Sequence, residues 1–166
     1  MKPIKLPIMA PFNISSGKSV ATIEEGCVLF NELPQMRGFT PRPGITLSNP
    51  KFKGHVTLWF PNIDNNYWNN DLLSFPNFIV ETPKDMSRNV WQVNKYKGKG
   101  EIRVTFLKNK KLFKDSDYHF VGIYEFNQKM SKTFTPERCV WECKHDKCDS
   151  NQNELYKILV NEGLKF

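Results

Sequence analysis

The chain has 166 residues, of which 39% are hydrophobic and 13% aromatic, a composition typical of a folded protein and not of a disordered one. Its formal net charge is +7, no stretch approaches the ~18–20 apolar residues of a membrane span, and its four cysteines do not resemble a secreted disulfide framework. We therefore expect a single domain over residues 1–166, located in the cytoplasm and without membrane contact.

The N-terminal part of the chain predicts an extended arm and then a short helix. Residues 1–19 contain three prolines, which interrupt regular structure, so this segment is expected to be extended. Thr22 and Glu25 have the spacing of a capping box, which predicts a helix immediately after them, although Cys27–Phe30 would also suit a strand. The residues expected to face inward are Val28, Leu29 and Leu33.

Strand patterns dominate the middle of the chain. In His55–Phe60, Val56 and Leu58 alternate with Thr57 and Trp59, which places the two sets on opposite faces of a sheet. The other predicted strands are Ile45–Leu47, Phe78–Val80, Asn89–Val93, Glu101–Leu107 with Arg103 and Thr105 outward, Tyr118–Phe126 with a bulge at Gly122, and Arg138–Cys143. The polar segment Asn62–Asp71 is predicted to be a loop.

The C-terminal region is the most clearly helical part of the sequence. Asn151 and Glu154 are spaced as N-cap and N3 residues, and apolar residues follow at helical spacing, so a helix is predicted over residues 151–162. The whole pattern favours an α+β fold that is rich in strands. We expect a twisted sheet or small barrel over residues 44–143, with a C-terminal helix and a short N-terminal one.

The excess positive charge lies in one stretch. Between Lys95 and Lys114 there are eight basic residues and one acid, Glu101, and this difference equals the +7 of the whole chain. A localised cationic face is typical of proteins that bind nucleic acid, although a solvated lysine-rich hairpin would have the same sequence. The predicted phosphate contacts are Lys95, Lys97, Lys99, Arg103, Lys108, Lys110 and Lys111.

Aromatic residues close to this stretch could stack on bases. Tyr67 and Trp68 lie in an asparagine-rich segment where no apolar pattern continues, so a role in packing is less evident for them. Stacking on an aromatic ring contributes about 1–3 kcal/mol per base. The predicted base-stacking residues are Trp59, Tyr67, Trp68 and Trp91. Asp64 and Asp71 are the natural acceptors for an exocyclic amine, and formation of a turn is their alternative role.

Two short motifs predict neither a nucleotide nor a metal site. Residues 15–19 resemble the end of a phosphate-binding loop, but Phe12 occupies the position that requires glycine, so nucleotide hydrolysis is not expected. Four soft ligands lie close together at the end of the last strand: Cys139, Cys143, His145 and Cys148. The spacing of these residues along a strand favours reduced cysteines that bind no metal. Zinc binding is the alternative. No cofactor is expected.

Five segments occur in a recognisable order along the chain. They are residues 54–61, the pair Tyr67 and Trp68, residues 88–91, and the predicted strands at 101–107 and 118–126. From residue 44 to 142 this order resembles the PUA-like and SRA-like β-barrel domains of modification-dependent restriction systems. The resemblance implies a PUA-like barrel that flips a nucleotide out of duplex DNA and holds its base between aromatic side chains. A nuclease domain usually accompanies such domains, so a separate nuclease subunit is an expected partner.

The sequence therefore predicts a nucleic-acid-binding module without catalysis of its own, with DNA favoured over RNA and with recognition of a modified or flipped base. One alternative is a metal-dependent nuclease that uses Glu142 and Lys144 with Asp115 or Asp117, because a Glu-x-Lys strand can support such chemistry. The other alternative is an accessory protein whose basic face binds an acidic protein partner.

Overall fold

A computed structural model of the chain describes residues 19–63, 68–71, 75–83, 101–134 and 138–164. The elements in chain order are α1 (Ile23–Leu29), β1 (Met36–Arg37), β2 (Thr40–Pro41), β3 (Gly44–Thr46), a 3₁₀ turn (Pro50–Phe52), β4 (Val56–Trp59), β5 (Trp68–Asp71), β6 (Phe78–Pro83), β7 (Ile102–Lys108), α2 (Lys110–Phe113), β8 (Tyr118–Phe126), α3 (Gln128–Ser131), β9 (Cys139–His145) and α4 (Gln152–Asn161). The predicted strand Asn89–Val93 and nearly all of the predicted arm, residues 1–18, lie outside the described residues.

The larger sheet has seven strands in the order β3-β4-β7-β8-β9-β6-β5, and β1 and β2 form a separate hairpin. Strands β4 and β7 are parallel, and the other paired neighbours are antiparallel. This arrangement confirms the predicted α+β class. Within the described part of the chain the sheet is open, with β3 and β5 at its edges, so a closed barrel does not form there. The segment predicted as a loop, Asn62–Asp71, ends in strand β5.

Both faces of the central strands are covered. Along β7, Ile102, Val104 and Phe106 belong to a core cluster that also includes residues of α1 and α4. The intervening side chains point to the other face, where a second cluster contains Trp59 and Trp141. The prediction that Arg103 and Thr105 face solvent is wrong, because both are buried on this second face. The alternation was predicted correctly, but the covering of both faces was not.

Helix α1 begins as the sequence predicts and packs differently. The Thr22 hydroxyl caps the helix by accepting the backbone N–H of Glu25 at 3.2 Å, whereas the Glu25 carboxylate accepts the N–H of Ala21 at 3.0 Å, one residue before the donor that a capping box uses. The buried apolar residues are Ile23, Cys27 and Phe30 in place of the three that were predicted to face inward. Val28 and Leu33 are exposed, and Leu29 is partly buried against the core. One helical turn separates Ile23, Cys27 and Phe30, so these three share the face that meets the sheet.

Helix α4 and the bulge in β8 agree with the sequence. Asn151 caps α4 by accepting the backbone N–H groups of Asn153 and Glu154 at 3.0 and 3.1 Å. The pairing of β8 with β7 shifts register at Gly122, whose φ is 146°. A side chain there would meet Cys143 Sγ at 2.8 Å, so glycine is required by both conformation and space. None of the helices in the described ranges is long and apolar enough to cross a membrane.

Candidate nucleic-acid interface

The second face of the sheet carries a buried charge between two tryptophans. The guanidinium carbon of Arg103 lies 3.7 Å from the ring centroid of Trp141 and 4.5 Å from that of Trp59. Arg103 Nη1 also pairs with Glu81 Oε1 at 3.4 Å, and the Trp141 indole N–H donates to the same oxygen at 3.3 Å. We call these four residues, Trp59, Glu81, Arg103 and Trp141, the tryptophan–arginine cluster.

The cluster shows that the sheet curves towards this face. Trp59 lies on β4 and Trp141 on β9, and β7 and β8 separate these strands in the sheet order. Three strand spacings of about 4.8 Å would put their backbones roughly 14 Å apart in a flat sheet. The two ring centroids are nevertheless only 5.8 Å apart. The second face is therefore concave, and the cluster lies within the concavity.

The buried charge has its counter-charge within the cluster. The side chains of Arg103 and Glu81 are 8% and 9% exposed. Attraction between a cation and the faces of two aromatic rings stabilises the guanidinium further, by an amount on the order of 0.5–2 kcal/mol per ring. Such a group is costly to leave unpaired, because removal of one partner from a buried ion pair typically destabilises by about 3–5 kcal/mol. The cluster thus gives the concave face a fixed, polar centre with aromatic walls.

The connection between β7 and β8 carries several exposed cations. Asn109 Oδ1 caps α2 by accepting the backbone N–H of Leu112 at 3.3 Å, and Lys114 ends the helix with φ at 64°. Lys110, Lys111 and Lys114 are exposed. We call residues 108–117 the lysine turn. Its first residue, Lys108, is half-buried and places its ammonium 5.3 Å from the ring centroid of Tyr118.

A contact between a histidine and an aspartate joins the end of the lysine turn to the sheet. Nε2 of His119, a buried residue of β8, lies 2.8 and 3.1 Å from the two carboxylate oxygens of Asp115. The His119 ring stacks on Phe113, with 4.1 Å between ring centroids and 15° between planes. The backbone N–H of Asp117 donates to Asp115 Oδ1 at 3.0 Å. The turn is consequently fixed on both sides of Lys114.

The β1–β2 hairpin presents an aromatic residue that sequence reasoning missed. Phe39 is fully exposed, at 103% of its reference area, and follows Gly38, whose φ is 66°. Arg37 lies beside the tip and Arg42 at the base of the hairpin, where its backbone N–H donates to Gln35 O at 2.6 Å, and both are exposed as well. The signal available in the sequence was an apolar residue that follows glycine and lies between two arginines in a proline-rich segment. A single exposed apolar side chain is common on protein surfaces, so it is the position of Phe39 at the tip of a hairpin that also carries arginines that makes it a candidate contact.

The hairpin and the lysine turn leave the sheet at the same end. The backbone N–H of Phe60 donates to Pro43 O at 2.7 Å, at the base of the hairpin. The carbonyl of Pro61, the residue after Phe60, accepts the N–H of Lys108 at 3.0 Å, at the base of the lysine turn. A further bridge pairs Asn62 with Lys108, so the predicted aromatic loop also begins here. The cations of the hairpin and of the turn therefore border one end of the molecule.

The structure brings together only part of the predicted site. Trp59 and Arg103 meet in the cluster, and Lys108, Lys110 and Lys111 lie on the lysine turn. Asp64, Tyr67, Trp91, Lys95, Lys97 and Lys99 lie outside the described residues. Trp68 and Asp71 are the ends of β5, whose backbone pairs with β6 in a register that sets Asn70 opposite Glu81. This register connects the edge strand to the cluster.

The side chains that the sequence offers as zinc ligands do not come together in the structure. Cys139 belongs to the core cluster on the concave face and Cys148 to the one on the opposite face, so the four soft ligands do not converge. Burial raises the pKa of the Cys139 thiol to about 12. Within the ranges that the structure describes, no three His, Cys, Asp or Glu side chains are placed to hold a metal ion.

The two aspartates predicted for a nuclease site lie far from Glu142. Glu142 pairs with Lys144 at 3.0 Å and lies opposite Glu125 in the β8–β9 register. Asp115 and Asp117 precede Tyr118, at the other end of β8 from Glu125. At ~3.3 Å per residue, Tyr118 and Glu125 are themselves about 23 Å apart. Neither aspartate can therefore share a metal ion with Glu142 in this fold.

Comparison with known proteins identifies the domain. The sequence profile of the SET and RING associated domain, SRA, matches residues 21–150. Among solved structures, the fold is similar to the 5-hydroxymethylcytosine-specific restriction enzyme AbaSI, with a TM-score of 0.58 and 20% sequence identity. The similarity covers 88% of this chain and 47% of that one, so the chain spans about half the length of this neighbour. No curated protein matches the chain by sequence.

Proposed function

The chain belongs to the SET and RING associated domain family, and from this membership we propose that it binds duplex DNA and recognises a modified cytosine turned out of the helix. The observation that carries the proposal is the tryptophan–arginine cluster at the centre of a concave face. An extruded base needs a recess with aromatic walls and fixed polar groups, because it loses its stacking and pairing partners when it leaves the duplex.

The base is proposed to lie between aromatic side chains. Trp59 forms a wall of the recess, and Tyr67, Trp68 and Trp91 supply the stacking faces, as the sequence predicts. Asp64 and Asp71 are the proposed acceptors for the exocyclic amine. Glu81 joins them as a third candidate, because its carboxylate lies within the cluster and Arg103 and Trp141 hold it in one orientation.

Phosphates are proposed to bind the cations at the rim. The predicted contacts are Lys95, Lys97, Lys99, Lys108, Lys110 and Lys111. Arg103 was predicted among them and is given a different role here: it orients Glu81 and separates the two tryptophan rings, because its guanidinium is buried between them. Each lysine that neutralises a phosphate on duplex DNA adds about 0.9 to the slope of log K against log salt concentration.

Phe39 is the proposed wedge that supports the duplex while the base is out. Its ring is exposed at the tip of a hairpin flanked by Arg37 and Arg42, and apolar wedges between base steps are a recurrent device of proteins that distort DNA. The flanking guanidinium groups favour an approach to phosphate, which places the ring beside the base stack. The hairpin and the lysine turn lie at one end of the sheet, so both could meet the same duplex.

A separate nuclease subunit is the proposed partner. Because AbaSI is described as specific for 5-hydroxymethylcytosine, this is the modification to test first. Fluorescence anisotropy would compare duplexes that differ at one position: cytosine, 5-methylcytosine or 5-hydroxymethylcytosine. We expect at least about tenfold tighter binding to one modified duplex than to the unmodified one, and affinity that falls steeply between 50 and 150 mM salt. Absence of binding to every duplex at 50 mM salt would overturn the proposal.

Two variants test the parts of the site. Glu81→Gln keeps the size of the side chain and removes its charge, which leaves Arg103 buried without its counter-charge, so thermal unfolding must first show that the variant is folded. In the folded variant we expect discrimination between the duplexes to fall while the salt slope is unchanged. Phe39→Ala should weaken binding to all duplexes about tenfold without loss of stability, because stacking of an aromatic ring contributes about 1–3 kcal/mol. Leu33→Ala is the matched control, since Leu33 is another exposed apolar residue outside the hairpin. Equal effects of Phe39→Ala and Leu33→Ala would remove the wedge.

A further inference from the structure

The lysine turn contains a carboxylate whose position conflicts with simple phosphate attraction. Asp115 directly follows Lys114, and its side chain is 41% exposed. A negative charge among phosphate ligands repels the DNA backbone and should lower affinity by itself. A residue that opposes the charge of its surroundings therefore calls for a structural reason.

The contacts of Asp115 supply that reason. Its two oxygens lie 2.8 and 3.1 Å from Nε2 of His119, and Oδ1 also accepts the backbone N–H of Asp117 at 3.0 Å. Burial acts to raise the pKa of Asp115, but the hydrogen bonds from His119 and Asp117 outweigh it and the pKa is lowered, so the carboxylate is ionised. His119 is buried and lies opposite Leu107 in the β7–β8 register. The carboxylate is thus attached to the rigid part of the sheet.

The same imidazole holds the turn on the other side of Lys114. Phe113, the last residue of α2, stacks on His119 at 4.1 Å. Lys114 between these two anchors has φ at 64°, the left-handed conformation that commonly ends a helix, and its backbone N–H donates to Lys110 O at 2.8 Å. Phe113 and Asp115, which both contact His119, therefore hold the turn on either side of this helix end.

We propose that Asp115 is a positioning residue, which through His119 holds Lys110, Lys111 and Lys114 in an arrangement that binds successive phosphates of the DNA backbone. The inference rests on the proposed function and deepens it. It states that DNA affinity depends on the conformation of the lysine turn as well as on its charge. The repulsion from one carboxylate is then outweighed because the backbone that carries the three lysines is ordered before binding, which reduces the entropy lost on association.

The test compares two aspartates of the same turn. Asp115→Ala and Asp117→Ala each remove one negative charge, but only Asp115 contacts His119; Asp117 accepts a hydrogen bond from the Ser19 hydroxyl at 3.4 Å. Charge alone predicts that both variants bind DNA more tightly, by about twofold. Positioning predicts opposite signs: Asp117→Ala tightens binding, whereas Asp115→Ala weakens it at least about fivefold and lowers the salt slope by about 0.9–1.8.

The conservative variant Asp115→Asn separates shape from charge. Asparagine keeps an oxygen that can accept from His119 and Asp117, so it should retain the salt slope of the wild type and bind at least as tightly. Thermal unfolding of each variant, followed at the salt concentrations of the titrations, confirms that folded proteins are compared. Parallel behaviour of Asp115→Ala and Asp117→Ala, with a wild type that binds, overturns the positioning role alone. A wild type that binds no DNA overturns this inference together with the proposed function.

Discussion

Arg103 and the lysines of the turn come from one cationic stretch, but the fold places them in opposite environments. Arg103 is buried against two tryptophans and pairs with Glu81, whereas Lys110 and Lys111 are exposed. The charge of the first is neutralised inside the protein, and the charge of the other two remains available to a partner. A count of basic residues along a sequence therefore overestimates the charge that a ligand meets.

The difference follows from strand alternation and from where the strand ends. Within β7 every second side chain points to the concave face, so Arg103 is buried together with Thr105. Beyond Lys108 the chain leaves the sheet and α2 turns its lysines outward. The two regions can be separated by experiment, since one should govern stability and the other salt-dependent binding.

The largest expected effect is on stability, at the cluster. Arg103→Met leaves the Glu81 carboxylate buried without its cation, so we expect the free energy of unfolding to fall by about 3–5 kcal/mol, measured by urea denaturation. In the double variant Arg103→Met/Glu81→Gln the buried charge is also gone, and a large part of the loss should be recovered. A loss below about 1 kcal/mol in the single variant would contradict the description of this ion pair as an internal support.

A smaller effect is expected at the lysine turn, and on binding only. Lys110→Ala/Lys111→Ala should leave the free energy of unfolding within about 0.5 kcal/mol of the wild type, because both side chains are exposed. The slope of log K against log salt should decrease by about 1.8, or 0.9 for each phosphate contact. Lys129→Ala/Lys132→Ala removes two exposed lysines near α3 and is the matched control. An equal change in the control would show that only net charge matters.

The smallest effect concerns a carboxylate on β8, beside Glu142. Burial raises the pKa of Glu125 above 4.5; the Lys144 ammonium lowers it in part, and the Glu142 carboxylate raises it again. A raised pKa means that the folded state favours the protonated form, so ionisation of Glu125 reduces stability as the pH rises above 4.5. Glu125→Gln should therefore raise the melting temperature slightly at pH 7, and the difference should disappear near pH 4. A lower melting temperature at pH 7 would refute this.

The sequence predicted those parts of the fold that depend on local signals. The N-caps at Thr22 and Asn151, the strand Tyr118–Phe126 and the bulge at Gly122 are confirmed, because each follows from a few neighbouring residues. The inward face of α1 was predicted incorrectly, since the direction from which the sheet packs on a short helix is not encoded in its own few residues. Strand β5 was missed for a similar reason: pairing with β6 gives a polar segment its extended form.

The site was predicted in composition more than in geometry. The sequence named Trp59 and the lysines of the turn as candidates, which stay predictions. It gave Arg103 an exposed role, because strand alternation shows which residues share a face and not whether that face is covered. Glu81 carried no signal, since its partner Arg103 is distant in the sequence and meets it only through the curvature of the sheet. Phe39 did carry one, in the glycine and the two arginines beside it.

The parallel pairing of β4 with β7 has a consequence for how such a domain can diversify. These two strands are hydrogen-bonded neighbours, yet residues 60–101 lie between them in the chain and contain β5, β6 and the proposed base-stacking loop. This excursion begins at one end of the pair and returns at the other. Its length and composition can change while the β3-β4-β7-β8 framework keeps its register. Transfer of the excursion between homologous domains would therefore test whether it carries the ligand preference.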